Sequence, residues 1–398
     1  MVNENMFETR YLSGFLKTWI MMVVFLCFLF SRADVAAGEE SGGIRPAAPQ
    51  AEQKENRSRV MLGTESESGS GSVAITRRVP SLEKRTYAVE VDGDNVYLAV
   101  TSGLIVLNAA NAPKRIGGLV MPDSGNGLAL SRNRVFMAQG NYGLAAVDVT
   151  RPEWPRELSR VKTPGSAQGV ALQGKYAFVA DGSGGLQVVD VGNPSKMRIV
   201  AGIDTGGYAW AVAVRRGRAY VAAGHAGVAV VDVRRPRQPR LETVIRLDGR
   251  ETGADDVKGR AGARGIQARD VEFGSRNLLY IAAGSEGLIV VETGKQEIVG
   301  RLKLNDFARG VGVWSDGRRD TVAVADGQAG VALVAVDRRG GSLLIGKFRT
   351  RMAVNNVTMG RRGKQTVFFL AHDADGLLLM ENRKKDGLTI LAEWPGSD

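Results

Sequence analysis

Cysteine is all but missing from the 398 residues, and its one occurrence, Cys27, lies in an apolar run near the N-terminus. Beyond that run the chain has no disulfide, no thiol nucleophile and no thiolate metal ligand. Histidine is almost as rare. His225 and His372 are the only two, short of the donor set of a catalytic zinc site, and no Ser-His-Asp or Cys-His arrangement can be assembled from them. Long apolar runs are missing too. Trp19–Phe30 holds twelve residues, against the ~20 that a comfortable membrane-spanning helix needs. Nor is there a helical repeat, because the apolar runs are too short and too Gly-broken for i, i+3, i+4, i+7 spacing.

What the chain has is glycine, 51 residues of it, within a sequence 44% hydrophobic. Ala167–Tyr208 shows the use. Four apolar runs, Gly169–Leu172, Tyr176–Ala180, Leu186–Val191 and Arg198–Ile203, alternate with Gly-, Asp- and Pro-bearing turns. Short runs rich in Val, Ala and Tyr between such turns predict a four-stranded antiparallel meander. A Gly-Leu or Gly-Val pair opens the third run at Gly103, Gly143, Gly185, Gly227, Gly287, Gly330 and Gly376. Successive spacings are 40, 42, 42, 60, 43 and 46 residues. Seven copies with a period near forty predict an all-β, seven-bladed β-propeller, whose ring leaves few exposed sheet edges.

The block GLQVVDVGNP (185–194), preceded by AFVADG (177–182), resembles the LVIVD-repeat proteins, as do GLAAVDVTRP (143–152) and GVAVVDVRRP (227–236). The likeness runs from Thr86 to the C-terminus. In copies five to seven VETGKQ, VAVDRRG and LMENRKK replace the VDVxxP ending. The resemblance implies an exported or cell-surface bacterial propeller and no particular chemistry.

Met1–Ala37 has the pattern of a signal peptide: Arg10 and Lys17, then the apolar run, then Val35-Ala36-Ala37 where a peptidase would cut. Cleavage would leave no transmembrane segment. An uncleaved anchor is the alternative, since Arg32 follows the run closely. Residues 38–85 are polar and Ser/Gly/Glu-rich, and predict a disordered linker. The propeller is expected over 86–398, with a Gly-rich, charged insertion at Arg250–Gly265.

Net charge is +11, and meander topology sorts it onto two faces. The first face carries the first-to-second and third-to-fourth turns and collects arginines, among them Arg215, Arg216, Arg218, Arg234, Arg235, Arg361 and Arg362. The second face carries the other turns and links, with Asp123, Asp181, Asp326 and Asp373. A single-sign face attracts anionic surfaces, or serves only to keep the protein soluble. Tyr208 leads into the fourth copy, Phe307 into the fifth, and Tyr142 lies in a turn. All three belong to the second face, where aromatic residues can anchor a peptide or stack on a sugar. Trp210 and Trp314 are expected to pack between blades. Asp181 and Asp326 are expected to make turns, because one Asp per blade cannot supply a calcium shell. Asp148, Asp190 and Asp232 are likewise expected to form the turns after the third strands.

The expectation is an exported, non-catalytic interaction scaffold of the bacterial periplasm, cell surface or exterior. It would bind a protein or anionic envelope component, not nucleic acid, through Arg215, Arg216, Arg218, Arg361, Arg362, Tyr208, Tyr142 and Phe307, with no cofactor or metal. Two alternatives stay open. One is a propeller lyase or hydrolase with a channel-mouth site, against which stands the lack of a carboxylate cluster on one blade. The other is a binder of acidic glycan or lipid through the arginine face.

Overall fold

The computed structural model describes residues 85–394, except 111, 249–265, 316, 318, 363–364, 373–375 and 384–386. The expected leader, the linker before Arg85 and the insertion at Arg250–Gly265 lie outside the described residues, as does Asp373. Blade 1 comprises β1 (Thr86–Asp92), β2 (Asn95–Val100), β3 (Gly103–Asn108) and β4 (Lys114–Val120). Blade 2 follows with β5 (Gly127–Ser131), β6 (Arg134–Ala138), β7 (Leu144–Asp148) and β8 (Arg156–Val161). In blade 3 are β9 (Gly169–Gln173), β10 (Tyr176–Ala180), β11 (Leu186–Asp190) and β12 (Arg198–Ile203). Blade 4 is built of β13 (Ala211–Arg215), β14 (Arg218–Ala222), β15 (Val228–Asp232) and β16 (Arg240–Ile245). Blade 5 holds β17 (Ile266–Phe273), β18 (Leu278–Gly284), β19 (Leu288–Glu292) and β20 (Glu297–Leu302). Then come β21 (Gly310–Ser315), β22 (Asp320–Ala325), β23 (Val331–Val336) and β24 (Ser342–Phe348) in blade 6. Blade 7 ends the ring with β25 (Val354–Arg362), β26 (Gln365–His372), β27 (Gly376–Arg383) and β28 (Gly387–Trp394).

Each blade is a separate four-stranded antiparallel sheet in simple sequence order. The seven-bladed propeller expected from the repeat is the fold of the protein. The two middle strands of a blade are buried on both faces, so their Val, Leu and Ala run on without alternation, as in LLYIAAG of β18. The outermost strands meet solvent on one side and alternate, as in SLLIGKF of β24. A register shift between the third and fourth strands recurs in all seven blades, for instance between Val188 and Val189. Such a bulge strengthens the local twist, and twisted blades can stack face to face around an axis.

The hydrophobic core lies between blades. Buried clusters of the described residues each draw on two neighbours, such as Phe178 and Val188 of blade 3 with Val221 and Val231 of blade 4. The last junction closes the ring: Leu98, Ile105 and Leu107 of blade 1 pack on Phe369, Leu379 and Trp394 of blade 7. No strand is exchanged there, because blade 7 contains its own fourth strand. Backbone bridges add to five junctions. Gly140, Gly182, Gly224, Gly284 and Gly327, in second-to-third turns, pair with Ala167, Ala209, Ala268, Ala308 and Val354 at the entry to the next blade.

Candidate functional site at the channel mouth

First strands lie innermost and pack on one another in sequence around the ring. Their inner sides enclose a cavity of about 380 Å³, lined by residues of all seven blades. Strand alternation directs Asp270 and Asn356 to the lumen at one level. Two residues further along the same strands, Glu272 and Thr358 line it together with Glu90 of β1. On β5 and β9 the first strands approach closely: a Cβ on Gly127 would stand 2.7 Å from Gln168 O, and one on Gly169 would stand 3.0 Å from Ala211 of the next first strand. The carboxylates of the lumen come from β1 and β17.

The lumen carboxylates are enclosed by the ring even where water reaches them. Burial raises Glu272 to about 8, with Asp270 and Glu90 adding repulsion and Arg215 opposing it. Burial likewise lifts Glu90 to about 7. Asp270 rises to about 6 for the same reason, held back by amides: its Oδ2 accepts from Val311 N of blade 6 at 3.0 Å and its Oδ1 from Val271 N at 2.8 Å. These acids correct one expectation, since β17 carries two carboxylates on a single blade. Signals for them were present as charged letters inside apolar first strands (YAVEVD, ARDVEF). Among the described residues no group of three His, Cys, Asp or Glu is placed to hold a metal ion.

At the second-face mouth an aromatic and polar cluster spans blades 3 to 6. Each inter-blade bridge fixes the residue that follows it. After Ala209, Trp210 N donates to Ala222 O at 2.8 Å, as Gln168 N after Ala167 donates to Ala180 O at 2.8 Å. Trp210 lies 4.4 Å from Tyr208, ring to ring. The guanidinium of Arg269 stacks 3.6 Å from the Trp210 centroid and 5.9 Å from Phe307. Gln168 Nε2 donates to Tyr208 Oη at 3.2 Å, and burial raises the Tyr208 hydroxyl. Gln267 links Arg269 to the edge of the site, accepting from Arg269 Nη1 at 3.4 Å and meeting His225 Nε2 at 2.9 Å. The arrangement presents half-buried aromatic faces beside amide and guanidinium donors.

The structure thus brings Tyr208 and Phe307 to one mouth, joined by Trp210, Arg269 and Gln168, with Phe307 in the link into blade 6 and not into the fifth as expected, because the insertion lengthens the fourth-to-fifth spacing. Trp210 packs across blades on Arg269 as expected but precedes β13 and also lines the cavity, and Trp314 packs on the core between blades 6 and 7 as expected. Tyr142 stands apart, 46% exposed, with Arg160 of the outer strand β8 5.6 Å from its ring. The three arginines of blade 4 have separate fates. Arg215 stacks on Phe273 at 4.1 Å and its Nη1 donates to Gly274 O and Arg276 O at 2.9 and 3.2 Å, so it clasps blade 5. Arg216 donates to Asn277 Oδ1 at 3.3 Å. Arg218 pairs with Glu242 at 2.7 Å. Arg361 and Arg362 end β25, opposite Thr366 and Gln365.

The repeat aspartates are structural. Asp181, fully buried, accepts from Thr163 Oγ1 at 2.5 Å and from Gly165 N at 2.7 Å. Asp326 accepts from Asn305 N and Asp306 N at 3.0 and 3.1 Å. Both pin the link that enters their own blade. Asp148, Asp190 and Asp232 accept from the amides of Thr150, Gly192 and Arg234 at 3.0, 3.1 and 2.9 Å, which makes the expected turns.

Residues 164–205 and 206–243 match the LVIVD repeat. The propeller carries LVIVD repeats. The first match covers blade 3 with most of the link that enters it, including Asp181 and its Gly165 partner, and the second runs from the link with Tyr208 and Trp210 into the last strand of blade 4. No curated protein matches the chain. Among solved structures it is similar to the computationally designed Ika8 protein, at 10% identity and a TM-score of 0.52, covering 76% of this chain and 97% of that one. It is also similar to the WD40 β-propeller domain of Doa1, at 8% identity and a TM-score of 0.55, with coverage of 76% and 97%. These likenesses are of fold alone.

Proposed function

We propose that this LVIVD-repeat propeller is a non-catalytic interaction scaffold, exported to the bacterial envelope or beyond, that grips a partner protein at the second-face channel mouth. The observation that carries the reading is the cluster of Tyr208, Trp210, Phe307, Arg269 and Gln168. Tyr208, Trp210 and Phe307 are half-buried and Arg269 is 9% exposed, and aromatic and arginine side chains are the residue types that dominate interface energetics. Rigid placement on four blades keeps the ordering cost of binding low. Support for export comes from the leader pattern of Met1–Ala37.

The test is capture from envelope extract with the full chain, with Tyr208→Ala, with Phe307→Ala and with Arg235→Glu. A partner held by the wild type and by Arg235→Glu, but weakened at least tenfold by either mouth substitution, is the expected result, at the scale of interface hot spots. Equal capture by wild type and both mouth variants would sink the reading.

A further inference from the structure

The first face of blades 2 to 4 is a second surface, independent of the channel mouth. The turns that follow its third strands overlap from blade to blade. Ser159 of β8 donates to Pro194 O of blade 3 at 2.7 Å, and Arg237 of blade 4 reaches back to Asp190 of blade 3 at 3.7 Å. The strand-end carboxylates on this rim are already taken. Asp148 pairs with Arg156 at 3.4 Å, Asp190 also with Arg198 at 3.7 Å, and Asp232 with Arg234 at 2.5 Å.

A large positive excess is left over. Arg132, Arg134, Arg151, Lys196, Arg235 and Arg240 are exposed and make no ion pair among the described residues. Glu153 is the exposed acid of these turns. In blade 5 the corresponding turn sets Lys295 between Glu292 and Glu297, so the excess there is absent. Within the positive region stands Trp154, 79% exposed, between Arg151 and Arg156. The described cavities open elsewhere, into the lumen, beside His225 and beside Asn305 and Asp306. A glycan or a nucleic acid strand gripped by directed hydrogen bonds would be expected to use such a cleft.

We infer that this rim docks on an anionic membrane surface. Guanidiniums match phosphate geometry, basic residues near an anionic leaflet each add about fivefold in association, and an indole favours the headgroup level, with its ring in apolar surroundings and its N–H wet. The rim holds both elements.

The experiment is co-sedimentation of the full chain with vesicles of phosphatidylglycerol and phosphatidylcholine, against phosphatidylcholine alone, at low and high salt. Binding to the anionic vesicles, reversed by salt, is expected. The double variant Arg235→Gln/Arg240→Gln should lower it by on the order of tenfold or more. Trp154→Ala should weaken it and abolish a blue shift in tryptophan emission that the wild type shows on vesicle addition. All these side chains are exposed, so unchanged thermal melting confirms folded variants. Tyr208→Ala should bind vesicles as wild type does, which separates this surface from the channel mouth. Three outcomes would each overturn the inference. One is equal sedimentation of the wild type and the rim variants, as a contribution from the leader alone would give. Another is indifference to lipid charge. The third is saturable binding to heparin or duplex DNA with no binding to anionic vesicles.

Discussion

Glu90 and Glu272 stand at one level of the lumen, and their protons bear on stability. Both titrate near 4.5 when unfolded, against about 7 and about 8 in the folded ring. Below pH 4.5 each is protonated in both states and adds no pH dependence. Above it the native ring retains protons that the unfolded chain has lost. Stability therefore falls as pH rises through 4.5 and on to the folded values. Glu272→Gln removes a lumen charge without changing shape. Its expected effect near neutral pH is a gain on the order of 1 kcal/mol, discounted for the water that reaches the carboxylate. Chemical denaturation from about pH 5 to about pH 8 should show the wild-type slope flattened in Glu272→Gln and further in the double variant with Glu90→Gln. Parallel slopes would reject this account. In sequence these acids were visible as letters, but nothing local said which side of β1 and β17 faces an axis. Asp181 looked easier, since Asp before Gly in a turn has a local explanation, but its carboxylate bonds Thr163 and Gly165 of the link into its blade, which turn chemistry alone does not foresee.

At the scale of elements, the turns carry the information that strands lack. Gly174 and Gly182 both have left-handed backbone, with φ of +60° and +56°, yet they differ in surroundings. Around Gly174 a Cβ would meet nothing within 4 Å, whereas at Gly182 it would stand 2.8 Å from the Tyr208 ring and 3.0 Å from Ser166 O. Gly174→Ala is expected to cost about 1 kcal/mol, from conformation alone. Gly182→Ala should cost roughly twice that or more and should displace Tyr208 from the mouth cluster. Equal losses in urea denaturation would show that the ring does not lean on this turn. The strand boundaries in blade 3 were legible to within a residue or two, because apolar runs and Gly/Asp turns alternate locally. That Trp210 also lines the lumen was not legible, for the opposite reason. Whether a residue just before an inner strand faces the next blade or the lumen is set by the bridge between Gly182 and Ala209, a contact between blades.

For the whole molecule, the junction of blades 7 and 1 is the decisive feature. It is closed by side chains such as Phe369, Leu98 and Trp394, with no shared strand to staple the termini. Phe369→Ala is expected to cost about 3–5 kcal/mol, as deleting a buried aromatic does. Hydrogen exchange should then speed up first in β1 and β26, which meet at this seam. Phe178→Ala, in the junction of blades 3 and 4, should cost a similar amount without that selective opening. Uniform exchange in Phe369→Ala would mean that the seam is no weaker than the other junctions.

The order of strands and turns, the number of blades and the sign of the charge follow from local chemistry: apolar runs of strand length, turn residues at a steady period, and arginines in hairpins. What tertiary structure alone decided is the fate of individual side chains. Ring closure makes Glu90, Asp270 and Glu272 neighbours although more than 170 residues separate β1 from β17 in the chain. It also spends Arg215 on clasping blade 5 while leaving Arg235 and Arg240 without ion pairs among the described residues. Chain-local pattern dictates how a blade forms, because strands and turns are short-range. Which face of a blade becomes lumen, seam or surface depends on contacts between blades, and those exist only once the ring is assembled.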